Sequence, residues 1–130
     1  MSTKTKTVSD STLSKLWRPA VLARWGYRDP ISGVCDPTGD SLQCHHIVYR
    51  RHFLLRWDYR NGIPLTTASH RFAHTGEGRD RVRKLSDFAY LDWMERWDKK
   101  TYFVTHCMTE GEFRLEKKAE LQAIIEEWGE

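Results

Sequence analysis

At 130 residues the chain has room for one domain with one buried core, and its 39% hydrophobic and 30% charged residues are ordinary for a globular protein in water. No apolar run is long enough to cross a bilayer, and the polar start MSTKTKTVSDST carries no secretory signal. The net charge of +3 hides a segregation: residues 45–84 hold nine Lys/Arg against three acidic groups, a balance of +6, while 85–130 hold six against eleven, or −5.

A basic middle suits a polyanion such as nucleic acid, because Lys and Arg that neutralise phosphates release condensed counterions. A solvated charged surface accounts for the charge alone equally well. Three cysteines, Cys35, Cys44 and Cys107, form neither an even framework nor a C-x-x-C knuckle, so reduced thiols of a cytosol are the simplest reading.

Residues 1–10 are rich in Ser, Thr and Lys and predict a disordered tail, leaving 11–130 as a single domain. Leu13, Leu16, Trp17 and Ala20 follow helical spacing, but Pro19 cannot donate an amide, which predicts two short helices with the second opening at Pro19. The Pro and Gly of 29–40 mark a loop. A strand is expected over 42–49, then a connection over 50–62 with an Asn-Gly turn, and a short returning strand over 63–65.

A helix over 66–74 follows, with Thr66 or Thr67 as N-cap and Gly76 just past its end. Val82, Leu85, Ala89 and Trp93 predict one amphipathic helix over 81–98, with Phe88, Leu91, Trp93 and Trp97 as a core stripe. Residues 101–105 read as extended, and Phe113, Leu121, Ile124, Ile125 and Trp128 as a final helix. The fold class is α+β: a strand, loop, strand, helix core over about 42–75, flanked by helices at both ends, including a C-terminal extension over about 80–130.

The chemistry gathers in one ordered set: His45-His46, then Asn61, then His70 and His74. Residues four apart on a helix share a face, so His70 and His74 can offer two imidazoles to one ion. Adjacent strand residues point to opposite faces, so of His45 and His46 one should meet the metal and the other a reacting water. Each piece has a plainer reading. Asn61-Gly62 is also a common tight turn, and a lone strand histidine is more often a satisfied packing residue than a ligand. His52 and His106 fall outside the set and read as surface or packing residues.

The segments QCHHIVYR and RNGIPLTTASHRFAH, with VLARWGYRDPISG upstream, resemble the HNH (ββα-metal, His-Me finger) endonuclease family over roughly residues 20–75, with the His and Asn spacing of the colicin-type DNases. Where many members carry two C-x-x-C pairs, this chain has Asp29, Ser32, Thr66 and Ser69, which argues against an accessory structural zinc. The resemblance implies His45, His70 and His74 as ligands of one divalent ion. It also implies His46 as general base and Asn61 as the residue that braces the loop and orients His46 through its amide. Imidazoles suit Zn²⁺, Ni²⁺ or Co²⁺ better than Mg²⁺, so zinc is the expected occupant, with Mg²⁺, Mn²⁺ or Ni²⁺ as alternatives for the working ion.

Arg50, Arg51, Arg56 and Arg71 are the expected DNA-binding residues, since guanidinium forks match phosphate oxygens. Trp57-Asp58 resembles a W-D step of phage-type members, although a core tryptophan with a turn-capping aspartate explains it as well. The implied function is hydrolysis of phosphodiester bonds in double-stranded DNA, by nicking or cutting, for a phage or mobile element in the bacterial cytoplasm, with no membrane partner. Two rivals stand beside it: a catalytically silent nucleic-acid-binding module acting in recombination, packaging or regulation, and a structural metal with the acidic C-terminal helix docking a protein partner.

Overall fold

The computed structural model describes residues 7–128. The expected tail lies outside the described residues over 1–6, and its last position, Asp10, already opens a helix. That helix, α1 (Asp10–Arg24), is capped by the Ser9 side chain, which accepts from the Thr12 amide, and it carries Pro19 inside it. The break expected at Pro19 does not occur. The carbonyl that loses its partner belongs to exposed Lys15, whereas a continuous helix buries Leu13, Trp17, Ala20 and Val21 against Trp57 and Leu121. Full burial of each large apolar side chain is worth about 1.5–3 kcal/mol, and several together outweigh the roughly 3 kcal/mol an internal proline costs.

Strand β1 (Gln43–His46) pairs antiparallel with β2 (Gly62–Leu65), His45 opposite Ile63 and His46 opposite Gly62. The strand expected over 42–49 is thus shorter, stopping at His46. No tight Asn-Gly turn joins the strands. Gly62 is extended (φ −128°, ψ 146°), not left-handed as such a turn requires, and the connection holds two 3-10 turns, Phe53–Leu55 and Tyr59–Asn61. Leu54 and Leu55 within it are buried, which fixes the loop as part of the core. Gly62 has a packing reason: a Cβ there would collide with Val21 and Trp17, so only glycine lets α1 lie against β2.

Helix α2 (Thr67–Ala73) starts at Thr66, whose hydroxyl accepts from the Ser69 amide. Gly76 does not close it but opens α3 (Gly76–Leu85), capped by Thr75. At Gly78 a side chain would strike the Phe72 carbonyl, and its absence lets α3 turn back onto α2. The single helix expected over 81–98 is two, α3 and α4 (Phe88–Glu95), because Val82 packs with Ile63, Leu65 and Ala73 whereas Leu91 and Met94 pack with Leu54, Leu55 and Phe113. One straight helix could not serve both clusters. Of the stripe read as core, Leu91 is buried, Phe88 and Trp97 are half-buried and Trp93 is exposed.

Residues 101–105 are helical, not extended. The Asp98 side chain accepts the Thr101 amide at 2.8 Å and starts α5 (Lys99–Thr105), overriding the β-branched composition. Helix α6 (Glu110–Trp128) packs along α1 through Leu121. The result is α+β and mostly helical, six helices and a two-stranded hairpin among the described residues. None of these helices is long and apolar enough to cross a membrane.

Asp58, fully buried, joins the hairpin connection to the helical extension. Its side chain caps the second 3-10 turn through the Arg60 amide, accepts from Arg60 Nε at 3.0 Å and from the Tyr90 hydroxyl, and meets Lys117 Nζ of α6 at 3.4 Å. Burial pushes its pKa up, but the Lys117 and Arg60 charges and these hydrogen bonds outweigh it and hold the group below the usual carboxylate range. Trp57 beside it is buried, so the pair does serve as core tryptophan and turn cap.

Candidate metal centre

Three histidines from two elements converge. The ligand nitrogens of His45, His70 and His74 lie within 4.8 Å of one another. His45 leaves β1 on the face that meets α2, and the helix stacks His70 and His74 one turn apart, the second at the C-cap. Ring centroids are 5.1 Å apart for His45 and His70, 5.6 Å for His45 and His74, and 4.9 Å for His70 and His74.

Burial is the first cause that pulls His45 down to about 4, reinforced by its three neighbouring imidazoles, and burial together with His74 lowers His70. Both rings are therefore neutral at neutral pH, the state in which an imidazole nitrogen can bind a metal. Three imidazole nitrogens from rigid elements, with no carboxylate among them, fit a borderline-soft divalent cation.

His46 points the other way. Its ring stacks on Trp17 with centroids 4.0 Å apart and planes 5° from parallel, and Nε2 lies 3.0 Å from the Arg56 carbonyl. A carbonyl only accepts, so Nε2 carries the proton and the free lone pair sits on Nδ1. Burial is the main cause that lowers the pKa of His46. The Arg56 carbonyl opposes that shift, while the Arg50 and Arg56 charges add to it.

Trp17 is fixed in turn, its indole N–H donating to the Asp58 carbonyl at 2.8 Å. Sequence reasoning took Trp17 as a helix residue only. Its contact with His46 crosses from a separate element, and no local pattern announces it.

Asn61 is fully buried and spends its side chain on the connection. Its Oδ1 accepts the Val48 amide at 2.6 Å, and its Nδ2 donates to the Val48 and Leu55 carbonyls, each at 3.0 Å. These contacts tie Val48 and Leu55 to the end of the connection. The direct amide contact to His46 does not form, because all of these bonds go to backbone and the ring is held by Arg56 and Trp17 instead.

Of the four arginines, Arg50 is exposed and Arg56 half-buried, and both line a hollow with His46, Ser14, Trp17 and Trp57. Arg56 also donates to the Arg50 carbonyl at 2.9 Å and faces Asp10 at 3.7 Å. Arg71 is exposed next to His70, and Arg51 lies 5.3 Å from the ring of exposed Tyr49. Two more, Arg79 and Arg83 of α3, line a cavity together with His45, His46 and His74; the sequence marked them only as part of the basic segment.

The two histidines outside the set and the three cysteines behave plainly. His52 bonds the Glu95 carbonyl at 3.0 Å and His106 stacks on Tyr102 at 4.0 Å, while Cys35, Cys44 and Cys107 are free. Burial raises Cys44 to about 11, against the pull of Arg18, so it stays a thiol. No family model matches the chain, and no curated protein or solved structure does so either.

Proposed function

We propose that this chain is a metal-dependent endonuclease of the HNH (ββα-metal) type that hydrolyses phosphodiester bonds in DNA, serving a phage or mobile element inside a bacterial cell. The observation that carries the reading is the division of labour among four imidazoles. Three are gathered closely enough to share one cation, and the fourth, adjacent in sequence, is held apart by Trp17 and the Arg56 carbonyl.

A divalent ion on His45, His70 and His74 would supply Lewis-acid charge against the scissile phosphate. His46, neutral and with its lone pair on Nδ1, takes the proton of the attacking water. Trp17 and the carbonyl keep the ring from rotating, so that nitrogen faces one direction only. Asn61 closes the connection that carries the Arg56 carbonyl, and exposed Arg50 and Arg71, beside His46 and His70, hold phosphate oxygens. The +6 balance over 45–84 supplies the remaining, sequence-independent attraction to a polyanion.

The test is cleavage of supercoiled plasmid in Mg²⁺, Mn²⁺, Ni²⁺ or Zn²⁺ by the wild type, His46→Ala and His74→Ala. Nicked or linear product from the wild type alone is the expected result. Equal conversion by all three proteins, or none with any ion, overturns the enzyme.

A further inference from the structure

We propose that the cavity beside the three histidines receives one nucleobase that has left the helical stack, so that the preferred substrate is DNA with an unpaired or readily extruded base next to the bond to be cut. The inference rests on the nuclease reading above and names its substrate class.

The cavity has a volume of about 220 Å³ and is enclosed by four elements: the exit of β1, the end of α2, α3 and α4. His45, His46 and His74 form one side of it, so whatever enters lies within about one nucleotide of a phosphate at the candidate metal centre. The rest of the lining is mixed, with apolar Val48, Val82 and Phe88 next to Arg79, Arg83 and Glu95. A volume of that size far exceeds the roughly 30 Å³ share of one water and suits a single planar heterocycle.

The chemistry of the walls matches a base rather than a featureless apolar group. The Phe88 ring and the ring of Tyr49, 71% exposed at the rim, provide π faces for stacking. Arg83, its guanidinium 4.9 Å from the Phe88 ring, and Arg79 provide donors, and Glu95 provides a carboxylate acceptor for an exocyclic amino group. A paired base presents only its edge in a groove, so its faces reach Phe88 only after the base leaves the stack. Free energy spent on extrusion is least where the base is already unpaired, which sets the preference.

The test uses the full chain with Mn²⁺ and two duplexes of one sequence, one fully paired and one with a single unpaired 2-aminopurine. Single-turnover cleavage next to that position and 2-aminopurine fluorescence are both recorded. Wild type should cut the second duplex about tenfold faster and change its fluorescence on binding, and Phe88→Ala and Tyr49→Ala should bring the rate ratio toward unity. Tyr49 is exposed, so its variant keeps the result interpretable should Phe88→Ala unfold.

Metal-dependent cutting of both duplexes at one rate, or a preference unchanged in both variants, overturns the base site while leaving the nuclease intact. Binding with a fluorescence change that Tyr49→Ala abolishes, but no cutting, supports the base site and overturns the nuclease. Binding to neither duplex overturns both.

Discussion

The Asp29 carboxylate accepts the backbone amide of Thr66 at 2.9 Å, across 37 positions of sequence. The same carboxylate takes the Ile31 and Ser32 amides at 2.7 and 3.1 Å and the Ser69 hydroxyl, and the residue is fully buried. Asp29, Ser32, Thr66 and Ser69 are the four positions at which the HNH resemblance leads one to expect paired cysteines. In this chain they meet through one carboxylate, which ties the loop after α1 to the start of α2 and thereby sets where His70 and His74 begin their helix.

That arrangement makes a pH prediction. Burial raises the Asp29 pKa, but the hydrogen bonds from Ser69, Thr66, Ser32 and Ile31 outweigh it and bring it down to about 2. A carboxyl depressed in the fold stabilises fully above its unfolded value of about 3.9, and that contribution is lost as pH falls through the folded value. The stability difference between wild type and Asp29→Asn, read from urea midpoints, should therefore be constant above about pH 5 and shrink between about pH 4 and 2. Asp29→Ala should cost about 3 kcal/mol at neutral pH, since three amides lose their acceptor. A difference independent of pH down to 2 would remove the carboxylate from this role.

Metal linkage separates the histidines without reference to catalysis. An ion that binds only the folded state at 100 times its Kd adds about 2.7 kcal/mol of stability. Zn²⁺ should therefore raise the melting temperature of the wild type and of His46→Ala, and should fail to do so for His45→Ala, His70→Ala and His74→Ala. A zinc response that survives all three ligand substitutions would refute the cluster, and loss of the response in His46→Ala would put that ring among the ligands.

The candidate site was legible in the sequence where it depends on local periodicity. Residues four apart on α2 do share a face, and neighbours on β1 do diverge, so His45, His46, His70 and His74 sit as the periodicities require. What escaped was decided by tertiary packing. Pro19 stays inside α1 because Trp17 and Val21 must remain on one buried face, and 81–98 divides because Val82 and Leu91 belong to different clusters. The contacts of Trp17 with His46 and of Asp29 with Thr66 join distant segments, for which a single sequence holds no signal.

Trp17 should act on turnover more than on substrate affinity if it orients His46. Loss of the stacked face in Trp17→Leu is expected to lower kcat about ten- to a hundredfold with KM little changed, as small misplacements of a reacting group do. Trp17→Phe, which keeps an aromatic face against the imidazole, should restore most of the rate. Equal kcat for the Leu and Phe variants, with both folded by circular dichroism, would reduce Trp17 to a packing residue.

Asn61 offers the sharpest test of the hairpin connection, because its amide serves both as donor and as acceptor. Asn61→Ala leaves the Val48 amide and carbonyl without partners and the Leu55 carbonyl with the Asp58 amide alone, and should cost about 3 kcal/mol. Asn61→Asp keeps the shape and the acceptor for the Val48 amide, yet it turns a carboxylate oxygen toward the Val48 and Leu55 carbonyls in a fully buried position. An uncompensated buried charge is costlier than a missing hydrogen bond, so the Asp variant should be the less stable of the two at pH 7 and should recover part of its stability as acid protonates it. The sign follows from a carboxyl whose folded pKa is raised: the penalty applies above that value and fades below it. Urea midpoints at pH 7 and 5 decide the matter, and an Asn61→Asp protein as stable as the wild type at pH 7 would show that the amide donors do not hold the connection shut.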